Sequence, residues 1–241
     1  MPNHPIIRLF DEITPTYDLL NHLLSFGFDR RWRNISLRSI VLPPDAEVLD
    51  VCTGTADIAI AIAQQQQWSR IYGVDLSEQM LRKGRIKIFR SNLDDRIQLM
   101  KADALQLPFP TGTFNVVFLS FGLRNLVNRP KGIQEITRVL KEQGQLVVLE
   151  FAPPPKTMLG KFYRFYLGTV IPLIGKIVSK SASAYQYLAA SIEEFPEPEK
   201  IVTLFRDSGL REISCKHLMF GIVSLYVARK HKAAMKNDIS T

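Results

Sequence analysis

Glu47-Val48-Leu49-Asp50-Val51-Cys52-Thr53-Gly54-Thr55-Ala56-Asp57 is the stretch that decides how this chain folds. Val48 to Val51 is a short apolar run with β-branched residues, the pattern of a buried parallel strand. Small residues around Gly54 follow, and Ile58-Ala59-Ile60-Ala61-Ile62-Ala63 then continues as a helix that packs on a sheet. Strand, tight turn and helix aim backbone N–H groups and a helix N-terminus at a ligand. A second strand, Ile71-Tyr72-Gly73-Val74, ends in Asp75 about twenty residues on, where a carboxylate accepts from ribose hydroxyls. This points to a nucleoside-containing cofactor. The dinucleotide fingerprint is not met, because Cys52 and Ala56 stand where two of its glycines would be. Taken alone, the turn also suits a βαβ unit with no cofactor.

Outward from this stretch, strands and helices alternate from 46 to 151, which predicts a parallel doubly wound sheet. Ser77 caps a helix running to about Phe89, Arg96–Met100 is the third strand, and Phe114–Leu119 is the fourth. A helix through Ile133, Ile136 and Leu140 leads to a fifth strand over Gly144–Leu149. Such sheets bind ligands at the carboxyl ends of their strands, where Asp50 to Asp57, Asp75, Asp103, Ser120 to Asn125 and Glu150 all fall. Their joint placement argues for a site more strongly than any one of them.

The flanks read differently. Residues 1–42 form a helical cap: Leu9, Phe10, Ile13, Tyr17, Leu20, Leu23 and Leu24 recur at helical spacing with a break at Pro15, and a second helix starts near Asp29. The core spans 43–152 and a helical insertion 153–195. In the insertion Lys156, Lys161, Arg164, Lys176 and Lys180 alternate with aromatics and aliphatics, which suits a membrane-surface helix or a lid with a wet basic face. The final helix and an antiparallel hairpin occupy 196–228, and a basic tail follows over 229–241. All of this reads as one domain.

Bulk properties exclude several classes. With 46% hydrophobic and 22% charged residues over 241, the chain is ordinary for a globular protein. No stretch reaches the roughly 18 uninterrupted apolar residues of a spanning helix. Asp11 and Glu12 arrive before any apolar core, unlike a secretory signal. Cys52 and Cys215 make neither a disulfide framework nor a metal motif, and a reducing cytoplasm is expected. A formal charge of +8 suits nucleic acid, an anionic membrane or an acidic substrate alike.

The order of the strands, the small-residue turn, and the acids after strands two and three resemble the class I S-adenosylmethionine-dependent methyltransferases. Further stretches are similar to the ubiquinone/menaquinone biosynthesis C-methyltransferases. They are Tyr17-Asp18-Leu19-Leu20-Asn21 with Ser25-Phe26-Gly27 and Arg30-Arg31-Trp32; Ser120-Phe121-Gly122-Leu123-Arg124-Asn125; and Arg138-Val139-Leu140-Lys141 with Gly144 and Leu149-Glu150-Phe151. The resemblance spans roughly 8–228. Cys52, Thr53 and Ala56 depart from it in the turn, as do Glu142-Gln143, Asp29 and Tyr226. Ala56 is a mild replacement for glycine where φ is negative, while Asp29 and Tyr226 bear on the substrate side.

The resemblance implies a Rossmann-like α/β fold with a mostly parallel seven-stranded sheet. It implies that Gly54, Thr55, Asp75, Asp103, Ala104 and Ser120 contact S-adenosylmethionine and that no metal takes part. It implies carbon methylation of demethylmenaquinol to menaquinol, or of the benzoquinol precursor of ubiquinone. Arg124 and Asn125, with no expected role in the sheet, are the candidates to stabilise a developing phenolate. Tyr17, Asp18, Asn21 and His22 rank below them. The expected partners are a polyprenylated quinol and the inner face of a membrane, touched peripherally, with a homodimer left open. Nucleic acid is not expected, since no RNA-binding module or base-methylation signature is present.

Overall fold

The structure, a computed structural model, describes residues 5–66, 69–178 and 182–231. Its centre is strand β1 (Glu47–Val51), whose Val48, Leu49 and Val51 have no exposed surface. A strand buried on both faces can only sit inside a parallel sheet covered by helices. β1 pairs in parallel with β2 (Arg70–Asp75) on one side and β4 (Phe114–Ser120) on the other. β3 (Ile97–Lys101) extends the β2 edge, and β5 (Leu140–Phe151) the β4 edge. β7 (Val223–Lys230) runs antiparallel between β5 and β6 (Leu210–Leu218). The seven-stranded order is β3-β2-β1-β4-β5-β7-β6, and β7 is its one reversed strand among the described residues. Order reverses between β1 and β4, which opens a crevice beyond their carboxyl ends.

Helices cover both faces. Helices α6 (Arg129–Val139) and α10 (Pro198–Asp207) bury Ile133, Ile136, Ile201 and Phe205 against one face. Helices α3 (Phe28–Leu37), α4 (Asp57–Gln65) and α5 (Glu78–Arg90) bury Trp32, Ile58, Ile62 and Ile88 against the other. The starts follow local chemistry. Ser77 accepts from the Met80 amide, Asn128 accepts from the Lys131 amide, and Pro130 lies in the first turn of α6.

A third apolar cluster lies above the crevice. It joins α1 (Pro5–Ile13) and α2 (Tyr17–Leu24) of the cap to the insertion, α7 (Met158–Phe165), a π-helical turn (Tyr166–Val170), α8 (Ile171–Val178) and α9 (Ala182–Glu193). Ile13 and Leu20 there pack with Tyr163, Leu167, Ile171, Tyr185 and Ile192. Cap and insertion, far apart in sequence, thus make one roof.

Four expectations change. The cap holds three helices, since Pro15 ends one and Gly27, at φ 76°, ends the next. Leu140 opens β5 opposite Phe114 and does not close α6; a bulge and Gln143 at φ 63° turn the chain between Leu140 and Gln145. Arg229 and Lys230 belong to β7 rather than to a tail, and Lys230 Nζ donates to Leu140 O at 2.8 Å. Tyr226 stacks edge-on with Phe205 in the core, away from any substrate side. Lys180 and the tail beyond His231 lie outside the described residues.

Candidate active site

The turn after β1 alternates the sign of φ. Cys52, Gly54 and Ala56 lie at +56°, +56° and +65°, and Thr53 and Thr55 between them are not positive. The condition for a mild Ala56 therefore fails: its backbone is left-handed, a conformation that costs a non-glycine residue about 1 kcal/mol or more. Ala56 is fully buried beside Gly84, where an added Cβ would come within 3.3 Å of it. That packing holds the strained turn in place.

Buried carboxylates organise the same turn. Asp50, 1% exposed, accepts from Thr53 Oγ1 at 2.6 Å. Burial pushes its carboxyl up to about 7, against the Thr53 and Ala59 hydrogen bonds, with Asp75 and Asp57 adding to the rise. Asp50 thus orders the turn. Asp75 Oδ2 accepts from the Gly54 amide and Oδ1 from the Ser77 amide, both at 2.9 Å. Burial raises this carboxyl too, and the nearby Asp11 carboxylate raises it further. Burial also lifts the Cys52 thiol well above its ordinary range, so it is no nucleophile.

Of the residues predicted for the site, the fold gathers Gly54, Thr55, Asp75 and Ser120 at the carboxyl ends of β1, β2 and β4. Asp103 and buried Ala104 follow β3, with Asp103 Oδ1 accepting from the Leu105 amide at 2.9 Å. Ser120 Oγ is buried without a partner. The Thr55 hydroxyl instead donates to Asp18 Oδ1 at 2.6 Å and meets Lys87 Nζ at 3.1 Å. Its hydroxyl proton is thereby committed within the protein. Asp18 also pairs with Lys83 at 3.1 Å, and Ser77 Oγ donates to Asp11 Oδ1 at 2.5 Å. The cap is therefore fastened by polar contacts to the turn after β1 and to the segment after β2.

Arg124 departs most from expectation. It is tied to the sheet: its guanidinium donates to Glu150 Oε1 at 2.7 Å and to Phe121 O at 2.6 Å, and its amide to Glu150 Oε2 at 3.1 Å. Glu150, at the end of β5, has no exposed surface. Asn125 accepts from Tyr187 Oη at 3.0 Å, which links this loop to α9. Asp29 lies with His22, Ser25 and Arg33. Burial raises its carboxyl, and those partners more than offset the rise, leaving it lowered.

Beneath the roof lies a cavity of about 300 Å³. Tyr17, Asn21 and Trp32 of the cap line it, as do Phe121, Arg124 and Phe151 of the sheet ends and Tyr163, Tyr166 and Leu167 of the insertion. Phe26 and Phe162 also line it and are 71% and 67% exposed, so they form its rim. A largely apolar chamber with a few polar groups beside a strand-end crevice suits a ligand with a small polar head and a hydrocarbon body. The inward placement of Tyr163 and the Tyr187–Asn125 contact were not read from sequence, because tyrosines in a helical stretch carry no signal of which face turns inward.

Residues 2–230 match the ubiE/COQ5 methyltransferase family. The protein called ubiquinone/menaquinone biosynthesis C-methyltransferase UbiE of Citrifermentans bemidjiense is 42% identical over 226 residues, 93% of this chain and 96% of that one. The demethylmenaquinone methyltransferase of Thermus thermophilus is 39% identical over 219 residues, 91% of this chain and 98% of that one. Among solved structures, a SAM dependent methyltransferase from Aquifex aeolicus superposes with TM-score 0.58 at 16% identity, covering 82% of this chain and 89% of that one. Haemonchus contortus phosphoethanolamine N-methyltransferase 2 in complex with S-adenosyl-L-methionine gives 0.65 at 16% identity, over 86% of this chain and 53% of that one. The structural likenesses are likenesses of fold.

Two outcomes test this geometry. Arg124→Ala leaves Glu150 buried without a cation, so unfolding in urea should show a loss of about 3–5 kcal/mol, partly recovered in Arg124→Ala/Glu150→Gln. A loss below about 1 kcal/mol, the size of a surface pair, would contradict a structural role for the pair. For Asp50, a carboxyl whose folded pKa stands above its unfolded value holds its proton more tightly in the native state. The resulting penalty is absent below about pH 4, grows as pH rises, and is complete above about 7. Between pH 5 and 8 the parent should lose on the order of 2 kcal/mol relative to Asp50→Asn. Parallel pH profiles would refute that.

Proposed function

The chain belongs to the ubiE/COQ5 methyltransferase family, and from that premise we propose that it transfers a methyl group from S-adenosylmethionine to a ring carbon of demethylmenaquinol, yielding menaquinol. It is a C-methyltransferase of quinone biosynthesis. The observation that carries the acceptor reading is the cavity of about 300 Å³, mostly apolar, adjoining the acid-lined strand ends. The benzoquinol precursor of ubiquinone is a second acceptor, favoured by relatives named for both quinones.

The residues present fit the cofactor. Ser120 Oγ is buried and unpaired, and an added Cβ at Gly54 would meet nothing within 4 Å, so the space before the turn is open. Asp75 would accept from the ribose, since an ionised carboxylate has about four lone-pair sites and two amides use only part of them. Asp103 would accept from the adenine amino group, while Ala104 frames the ring. The turn backbone at Gly54 and the Thr55 amide would face the methionine moiety, with Ser120 at the crevice floor. When bound, S-adenosylmethionine supplies an electrophilic methyl carrying its own neutral thioether leaving group.

The acceptor carbon becomes nucleophilic as its ring hydroxyl gives up a proton and the negative charge spreads into the ring. Arg124 stabilises that charge, and because a guanidinium is no base at its ordinary pKa the proton goes to water. The ring carbon then gains the methyl and loses its hydrogen as a proton. Glu150 fixes the guanidinium, which places the charge without reorganisation. Trp32, Phe121 and Phe151, with ring centroids 4.8–6.3 Å apart, wall off water around it.

A long-tailed acceptor resides in a bilayer, and no helix among the described residues is long and apolar enough to cross one. Exposed side chains of the cap and of α7, with Phe26 and Phe162 among the cavity lining, support surface contact. Leu19, Leu23 and Phe26 of the cap and Met158, Phe162 and Phe165 of α7 are exposed by 47–71%, with Lys161 and Arg164 exposed among them. Phe26 holds φ at 51°, an unfavourable backbone for an aromatic residue, with its ring outward near Tyr166. Apolar side chains flanked by cations suit an anionic interface.

Turnover of labelled S-adenosylmethionine with prenylated demethylmenaquinol and with the prenylated benzoquinol precursor tests the reaction, and methylation of neither would overturn it. Asp75→Ala should weaken cofactor binding by about 1.5–3 kcal/mol in calorimetric titration, and unchanged affinity would remove Asp75 from the site. Flotation with anionic liposomes should fall in Lys161→Glu/Arg164→Glu and fade with salt. Binding equal to the parent would make α7 a lid only.

A further inference from the structure

Among the described residues, three buried side-chain atoms have no hydrogen-bond partner: Ser120 Oγ, Arg124 Nε and Tyr163 Oη. Ser120 belongs to the cofactor side. The other two come from different elements, the loop after β4 and helix α7, yet both residues line the same cavity. Tyr163 is 7% exposed and packed among Leu20, Leu167 and Ile171. A buried hydroxyl without a partner costs its full desolvation penalty, and a phenylalanine would fill the same space without it. Other cavity tyrosines do not carry this cost. Tyr166 Oη donates to Leu24 O at 2.9 Å and Tyr187 Oη to Asn125 Oδ1 at 3.0 Å. An orphan hydroxyl and an orphan guanidinium nitrogen, on two residues that line one chamber, have the form of a site whose partner is a ligand oxygen.

We propose that Tyr163 is a further catalytic residue, its Oη donating a hydrogen bond to a ring oxygen of the acceptor in the cavity that Arg124 also lines. The proposal rests on the quinol reading of the cavity and adds to it the group that recognises the head. Burial pushes the Tyr163 phenol well up, with the Arg124 charge opposing, so it stays protonated at neutral pH and serves as a donor, not a base. A hydrogen bond from a neutral phenol to an oxygen strengthens as that oxygen becomes anionic. It therefore favours the charged state on the way to methyl transfer over the bound quinol, and acts on kcat more than on KM. A purely packing tyrosine would show neither property.

The test is Tyr163→Phe in the full chain, with steady-state kinetics on labelled S-adenosylmethionine and prenylated demethylmenaquinol in mixed micelles. We expect kcat to fall about 100-fold, the scale of losing one donor to a developing oxyanion, with acceptor KM and cofactor affinity near the parent's. The rising limb of the kcat–pH profile should move to higher pH, because the bound hydroxyl loses a group that favours its ionised form. The melting temperature should stay level or rise, since the buried hydroxyl is gone. Equal kcat and an unmoved profile, with the parent active, would overturn the role of Tyr163 and leave the quinol reading intact. A melting temperature well below the parent's would overturn it too, showing the hydroxyl satisfied within the protein. Parent inactivity toward both prenylated precursors would overturn the quinol reading and this assignment together.

Discussion

The Arg124–Glu150 pair is the contact on which the site's geometry turns. A carboxylate with no exposed surface at the end of β5 has to be matched by a cation and amides, and the loop after β4 supplies both. That requirement pins the loop across two strand ends and sets Arg124 over Phe151, its guanidinium carbon 5.5 Å from the ring centroid. It also leaves Nε buried without a hydrogen-bond partner, in a residue that lines the cavity. One buried ion pair thus holds the ends of β4 and β5 together and fixes the guanidinium of a residue that lines the cavity.

The same economy governs the turn after β1. Asp50 and Asp75 are held at strand ends by Thr53 and by the Gly54 and Ser77 groups, and these bonds define a backbone with alternating φ sign. Left-handed Cys52 and Ala56 are tolerated because the surroundings over-determine them. Gly122 is needed for the same closeness: an added Cβ would sit 2.6 Å from Cys52 Cβ. Polar contacts from Asp18 to this turn and from Asp11 to Ser77 after β2 then lower the cap, so the strained backbone lies beneath a second layer.

Cap and insertion act as one body although more than a hundred residues separate them. Each has an apolar face too wide to leave in water, and each covers the other's. The chamber between them faces Arg124 at one end and the exposed Phe26–Phe162 rim at the other. The cavity therefore offers a charged side chain on one wall and exposed aromatics on another. The insertion buries Tyr163 and Leu167 on its inner face and exposes Lys161, Phe162, Arg164 and Phe165 on its outer face.

Much of this was legible in the residues. Hydrophobic periodicity and small-residue punctuation locate β1, β2, β4 and their helices, because a buried strand tolerates only apolar runs and a tight turn only small residues. Acids at successive strand ends mark the crevice before any coordinates exist, since a parallel sheet brings its carboxyl ends together by construction. The strand-four motif carries the family without help from geometry. What periodicity cannot express is which side chain a polar group finds across the fold. The partner of Arg124 lies 26 residues away and that of Thr55 lies 37. Leu140 became a strand residue because Phe114 offers it a register, and Gln143 turns the chain there against its own backbone preference. The inward face of α7, and with it Tyr163, exists only once the cap closes over it, because burial belongs to the assembled pair of surfaces and not to either sequence alone.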